Sequence, residues 1–398
     1  MKQDWEIKTL KDIGSIFSGN SINAKVKKEK YLNYPEGFPY VATKDVGYDS
    51  SIDYDNGVKI PYFEKELFRI APKNSVLICA EGGSAGRKMG RINQDICFVN
   101  KLFAITPENE TSSKYLFYWY NTDEFQREFK SRLTGLIGGV SKRKFETIPI
   151  PIPPLDEQKR IVAKLDECFE AIDTARANVE KNLNNAKELF QSQLNQIFIQ
   201  KGEGWVDKKL GEVCTKITDG VHKKPNYISD GIPFIKVKNL TKGEGISFDD
   251  VSYISKEDHE EYCKRTKPEK GDILITKDGT IGIVRIIDTE IEFSIFVSVA
   301  LIKPISKKIS PFLKYSLESP MLQNQMTPKG AALKHIYLKD IRNFDIAIPK
   351  QNEQNKIVNQ LDELKSQTKS LESNYQQELD ALDELKKSIL QKAFNGEL

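Results

Sequence analysis

PPLDEQKRIVAKLD, residues 153–166, is written again 196 positions later as PKQNEQNKIVNQLD, residues 349–362. Each copy runs into a long helical pattern that ends in a matching phrase. Leu189, Ser192, Leu194 and Phe198 close the first; Leu385, Ser388, Leu390 and Phe394 close the second. An internal repeat decides architecture before any local signal does. The chain therefore reads as two similar halves, each a globular head followed by a helix. The segments are 1–154, 155–201, 202–349 and 350–398.

The helices carry matching apolar stripes. In the first, Ile161, Leu165, Cys168, Ile172, Ala175, Val179, Leu183, Ala186, Phe190, Leu194 and Ile197 recur at steps of four and three. The second reads Ile357, Leu361, Leu364, Thr368, Leu371, Tyr375, Leu379, Leu382, Lys386, Leu390 and Ala393, with only Lys386 breaking the stripe. Asp156 and Asn352 are expected to be N-caps, with Pro153 and Pro349 stopping the preceding strands. Helices of roughly 38–44 residues span about 55–65 Å at ~1.5 Å per residue. One such helix cannot bury its stripe alone. The simplest solution is an antiparallel coiled coil between the two, which would put the heads at opposite ends. Packing of each helix on its own head, and pairing between chains, are the alternatives.

The heads repeat one order of elements. Trp5 and Leu10 match Trp205 and Leu210, and GFPYVATKDV (37–46) matches GIPFIKVKNL (231–240). NSVLICAEGGSAGRKMGRI (74–92) matches GDILITKDGTIGIVRI (271–286), and TIPIPIP matches FDIAIP. A helix predicted over 113–130 matches PFLKYSLESPMLQNQM (311–326). Strands such as FPYVAT, SVLICA and ICFVNKLFAIT, mixed irregularly with helices, predict an α+β fold. The scaffolds agree while the loops diverge: one fold with two different surfaces.

Composition is that of a globular protein, 39% hydrophobic and 29% charged over 398 residues, enough for two or three cores. No apolar run approaches the ~18–20 residues of a membrane span, and the opening MKQDWEIK is too charged for a signal peptide. A cytoplasmic protein is expected. Cys79, Cys97, Cys168, Cys214 and Cys263 are scattered without a CxxC, which predicts free thiols. His222, His259 and His335 lack metal-ligand spacing. The net charge of +3 is unevenly spread: residues 155–200 carry −2 and 351–398 carry −3, leaving +8 on the heads. Basic heads on mildly acidic helices suit a polyanion as ligand.

No catalytic signature accompanies this. GxGxxG is absent, and EGGSAGRKMG (81–90) lacks the spacing of a P-loop. No HExxH or Pro-Pro-aromatic motif of base methylation is present. The heads instead offer basic and polar loops at equivalent places. Thr43 and Lys44 follow one strand; Lys236, Lys238 and Asn239 follow its counterpart. Arg87, Lys88 and Arg91 lie on one Gly-rich turn; Lys277, Thr280 and Arg285 lie on the other. Ser141, Lys142, Arg143 and Lys144 end one tail; Lys329, Lys334 and His335 lie on the other. Phosphates call for Lys and Arg, and base edges for fixed donors and acceptors. As matched pairs these loops point to DNA contact.

The DEQKRIVAKLD and NEQNKIVNQLD phrases, each after a Pro-bearing strand and before a helix ending LxxSxLxxxF, resemble the specificity subunits of type I restriction–modification systems. SILQKAFNGEL is similar to that family's ending, and WEIKTLKDI and WVDKKLGEV to the starts of its target recognition domains. Glu157, Gln158, Ile161 and Val162, with Glu353, Gln354, Ile357 and Val358, take the family's helix positions; the first tail, SQLNQIFIQKGE, departs from its pattern. The resemblance implies a non-catalytic subunit whose two heads each read half of a split double-stranded DNA site. It implies helices that set the gap and dock two methyltransferase subunits. Half-sites about one helical turn apart, ~34–36 Å, would fit heads set inward on such a rod. No cofactor is expected on this chain. S-adenosylmethionine belongs to the methyltransferase subunits, which flip the target base, and ATP with Mg to a translocase–nuclease subunit. A coiled-coil scaffold for protein partners is the alternative.

Overall fold

The computed structural model describes residues 4–108, 111–135, 138–326 and 335–398. The first head contributes β1 (Glu6–Thr9), β2 (Gly14–Ser18), β3 (Phe38–Val41), β4 (Lys59–Ile60), β5 (Ile70–Ala71), β6 (Val76–Cys79), β7 (Met89–Arg91), β8 (Ile96–Phe98), β9 (Leu102–Pro107) and β10 (Pro149–Ile152). The second contributes β11 (Val206–Lys209), β12 (Cys214–Asp219), β13 (Ile232–Ile235), β14 (Ser252–Ile254), β15 (Ile273–Thr276), β16 (Val284–Ile286), β17 (Ser294–Ile295), β18 (Val299–Pro304) and β19 (Asp345–Ile348).

The topology is repeated as the sequence is. A β2-β9-β6-β7 sheet answers a β12-β18-β15-β16 sheet, and the β1-β10 ribbon answers β11-β19. The remaining sheets are β4-β3-β8-β5 and β14-β13-β17, each with one parallel pair, β3/β8 and β13/β17. Successive strand residues point to opposite faces. Val76 and Ile78 therefore join one core of the first head while Leu77 and Cys79 join another. In the second head Ile273 and Ile275 part from Leu274 in the same way. Burial on both faces explains why these strands read as continuous apolar runs.

Two predicted elements are each divided. ICFVNKLFAIT is β8 and β9, separated by a turn closed by Leu102 N donating to Val99 O at 3.1 Å. The 113–130 helix is Ser113–Tyr120 and Asp123–Ser131. Thr122 makes the break: its hydroxyl donates to Trp119 O at 2.8 Å and accepts from Phe125 N at 3.2 Å. Ser319 does the same in the second head, donating to Ser316 O and accepting from Leu322 N. Short hydroxyl side chains compete with helical hydrogen bonds and favour caps.

The long helices are Leu155–Gln200 and Gln351–Asn395. The chain forms two compact units, residues 1–179 with 377–398, and residues 180–376. In the first unit, Ile161, Val162 and Leu165 from the start of one helix share a core with Leu390, Ala393 and Phe394 from the end of the other. The Phe394 ring lies 4.9 Å from Tyr115 and 5.4 Å from Trp119. Arg160 donates to Leu398 O at 2.5 Å, Asp173 meets Lys386 at 3.0 Å and Arg176 meets Asp383 at 2.6 Å, so the helices run antiparallel. In the second unit, Leu194 and Phe198 meet Ile357, Leu361, Phe312 and Tyr315. Along the predicted stripe, Ile172 and Leu379 are buried, and Val179, Leu183, Leu364 and Leu382 are half-buried.

Three expectations are corrected. Leu371 is 39% exposed. The buried face steps by four from Leu364 to Thr368 and again to Glu372, which takes the inward side. With 3.6 residues per turn, residue 371 then sits roughly 100° away from it. Thr368 tolerates burial because its hydroxyl donates to Leu364 O at 3.0 Å. Asp156 and Asn352 are exposed and inside the first turn, not N-caps, because the helices begin one residue earlier. The starts are held by the next polar pair instead. Buried Gln158 donates to Pro153 O at 2.9 Å and accepts from Ser112 N at 2.9 Å; buried Gln354 donates to Pro349 O at 2.8 Å. Lys386 is no break in the stripe. Its ammonium lies 4.9 Å over the Phe169 ring while pairing Asp173, so the stem covers apolar surface and the charge is met.

The aspartate closing each repeated phrase is also explained. Tyr118 donates to Asp166 at 2.5 Å, and Tyr315 donates to Asp362. Burial first, then the facing carboxylate, pushes both phenols up. All five cysteines are free thiols, and burial pushes Cys97 and Cys214 up to about 12. Among the described residues no helix is long and apolar enough to cross a membrane.

Phe394→Ala is expected to lower unfolding stability by about 3–5 kcal/mol, and Gln158→Ala by about 1–3 kcal/mol, through a cavity and through unpaired buried groups respectively. Denaturant midpoints check both. A loss under ~1 kcal/mol for Phe394→Ala would mean that the helix end does not hold the first head.

Candidate nucleic-acid interface

Both β2 and β6 are antiparallel to β9, and β7 is antiparallel to β6. The C-terminal ends of β2 and β6 therefore share one sheet edge with the N-terminal ends of β7 and β9. In the second head β12, β15, β16 and β18 build the same edge. The neighbouring sheet is brought against it at a glycine. A Cβ on Gly19 would lie 1.8 Å from Phe98 O, and one on Gly220 1.9 Å from Ile295 O, so no larger residue fits.

The first head's edge is an aromatic–cation cluster. Lys88 and Arg87 lie 5.1 and 5.4 Å from the Tyr48 ring, and Lys88 donates to Thr43 O at 3.2 Å. The Tyr48 hydroxyl is 3.1 Å from Ser84 Oγ. That hydrogen bond, aided by the two cations, holds the Tyr48 phenol below its ordinary range. Lys44 is exposed beside Asp45, 3.1 Å away. Val140 N donates to Ala80 O at 2.9 Å and Gly82 N to Gly138 O at 2.7 Å, which seats the second Gly-rich loop beside the first. Ser141 caps the short helix Lys142–Glu146; Lys142 pairs with Glu146 at 3.4 Å, and Arg143 and Lys144 are exposed. Arg91 stands apart, at the far end of β7. Its guanidinium is taken up by Ser113 Oγ at 2.6 Å and by Asn74.

The second head's edge centres on a buried carboxylate. Asp219 receives Lys277 at 3.4 Å, Arg265 at 2.5 Å and His222 at 3.2 Å. Ile336 N donates to Lys277 O at 2.9 Å, matching Val140 and Ala80. His335 sits edge-on to Tyr337 with centroids 4.3 Å apart, and Thr280 is exposed past Gly279. Lys236 lies 4.1 Å over Tyr227 and donates to Ser252 Oγ at 3.0 Å; Lys238 pairs with Asp250 at 2.8 Å.

Three further candidates are claimed by the fold. Asn239 is 1% exposed, accepting from Lys236 N at 3.0 Å and donating to Ser247 O at 3.1 Å. The Lys277 side chain is 10% exposed, held on Asp219. Arg285 donates to Gly243 O at 2.7 Å and Gly245 O at 3.1 Å, and burial pushes it down. The loop it grips is tied on its other side to the second long helix: Glu244 meets Lys369 at 2.5 Å and Lys365 at 3.4 Å. Burial alone would raise Glu244, but these lysines hold it below its usual range. Lys329 and Lys334 lie outside the described residues. Residue-by-residue reading missed Tyr48, Ser84, Asn20, Arg69, Asp219, His222 and Arg265. One signal could have found the arginines: Arg69 and Arg265 are 196 residues apart, the spacing of the helix phrase. Among the described residues no group of His, Cys, Asp or Glu is placed to hold a metal ion.

The model of the type I restriction modification DNA specificity domain matches this chain twice, over residues 2–185 and 202–381. The chain belongs to that family. It is 28% identical to the type I restriction enzyme EcoBI specificity subunit of Escherichia coli, covering 94% of this chain and 82% of that one. It is 25% identical to the EcoKI specificity subunit of Escherichia coli strain K12, covering 100% and 90%. Two solved structures share the fold. A chain from a study of the assembly and conformational transition of the type I R-M system aligns with a TM-score of 0.78 at 20% identity, covering 100% of this chain and 99% of that one. The HsdS subunit from Thermoanaerobacter tengcongensis aligns at 0.64 and 21% identity, covering 100% and 98%.

Asn239→Ala is expected to cost about 1–3 kcal/mol in thermal or denaturant unfolding, whereas exposed Thr280→Ala should stay within about 0.5 kcal/mol. Equal losses would reverse the division between fold and surface drawn for these two residues.

Proposed function

We propose that this chain is the address-reading subunit of a type I restriction–modification complex and does no chemistry itself. Each head reads one half of a split, asymmetric double-stranded DNA site. The paired helices set the unread gap and dock two methyltransferase subunits, which bring S-adenosylmethionine. A translocase–nuclease subunit, with ATP and Mg, joins for restriction, and the assembly works in the cytoplasm. One observation carries this reading: the two heads present the same sheet edge lined by different side chains, Tyr48, Arg87 and Lys88 against Asp219, His222 and Arg265. A duplicated scaffold with divergent edges suits two different half-sites. Exposed cations there neutralise phosphates and steer the duplex in.

Co-expression with the cognate methyltransferase subunit in an unmethylated host, followed by sequencing of methylated adenines, tests the reading. One split motif is expected, absent when this chain is omitted. A complex that co-purifies yet yields no motif would favour the scaffold alternative. Inserting one heptad into both helices should change the gap and leave both half-sites intact; an unchanged gap would sink the ruler. Removing Arg87 and Lys88 together should weaken DNA binding about tenfold or more. The salt dependence should flatten by roughly one unit of slope for each phosphate no longer neutralised.

A further inference from the structure

Arg265 occupies an unusual setting on the second head's edge. Its side chain is 56% exposed, yet Nη2 is fixed at 2.5 Å from Asp219 Oδ1 and 3.2 Å from His222 Nε2. Asp219 is buried and anchored in turn. Its other oxygen holds Lys277 at 3.4 Å, and its backbone carbonyl accepts from Thr266 Oγ1 at 2.7 Å. The backbone under Arg265 is pinned as well, its carbonyl accepting from Lys216 Nζ. Nε and Nη1 of Arg265 have no partner among the described residues. This guanidinium is thus held through Nη2, with the Nε–H and Nη1–H donors left unspent.

That arrangement suits a base edge better than a phosphate. Asp219 fixes the guanidinium in one geometry, and a phosphate needs no fixed donor pattern. A rigid planar fork matches the paired acceptors of guanine in the major groove, and a supporting carboxylate removes the rotamer freedom that would blur the reading. The first head supports the position. Arg69 stands at the matching place on its strand end, donating to Ser18 O at 3.0 Å with its own N–H donating to Asn20 Oδ1 at 2.7 Å. Ser18 replaces Asp219 there, so the two arginines are aimed by different partners.

We infer that Arg265 is a specificity-determining residue of the second head, reading a guanine of the half-site, with Asp219 and His222 as the residues that position it. This rests on the function proposed above. The test is adenine-methylation sequencing with the intact methyltransferase complex carrying Arg265→Ala or Arg265→Lys. Both variants are expected to relax the motif at one position of the second half-site, with methylation of wild-type sites down about five- to a hundredfold. The first half-site and the gap should be unchanged. Arg265→Lys keeps the charge but loses the fork, so its salt dependence should stay near wild type while its motif relaxes. Uniform weakening with no relaxed position would make Arg265 a phosphate-binding residue and overturn the inference, as would an unchanged motif in both variants. A wild-type complex that gives no split motif would instead overturn the proposed function, and this inference with it.

Discussion

Everything in this molecule depends on covering the two ends of each long helix. An amphipathic helix of some 45 residues exposes a stripe that no single head can shelter. Here each head closes over the start of its own helix and the finish of the other. Phe394 enters the aromatic core of the first head beside Tyr115 and Trp119, and Phe198 packs on Phe312 in the second unit. The compact units accordingly divide the helices in mid-length, not at the junction of head and helix. A head deprived of the far end of its partner helix would keep its sheets and lose part of its core.

The same economy runs through the matched sheet edges of the two heads. Strand direction alone brings the ends of β2, β6, β7 and β9 together, and glycine at 19 and 220 lets a second sheet close against them. What varies is the polar furniture. The first head aims two cations over a tyrosine, and the second gathers three basic groups on one buried aspartate. Because the scaffold is held by buried strands, the exposed side chains on these edges can differ while the strands stay the same. That separation of scaffold from surface is what the proposed reading of two unlike half-sites relies on.

Much of the fold was legible in the sequence because repetition and helical period are one-dimensional signals. The two halves and the long helices follow from the 196-residue spacing, and a stripe too long to bury alone made antiparallel pairing the simplest of three arrangements. Local choices were less legible. Thr122 and Ser319 split predicted helices by capping the next one, and Gln158 and Gln354, not the neighbouring Asp156 and Asn352, secure the helix starts. In each case a side chain found a backbone partner whose position depends on chain folded elsewhere.

The candidate site divides along the same line. Residue type and position determined by themselves that Lys44, Arg87, Lys88, Arg143 and Lys144 stand exposed or half-exposed on polar segments of basic heads. Only the tertiary structure decided that Asn239, Lys277, Arg91 and Arg285 spend their polar groups inside the fold. Only it joined Asp219, His222 and Arg265, which are up to 46 residues apart in the chain. The reason is that charge and hydrogen-bonding capacity are properties of a residue, whereas availability is a property of its neighbours. An arginine facing a buried carboxylate and an arginine gripping a loop are the same letter until the strands place them.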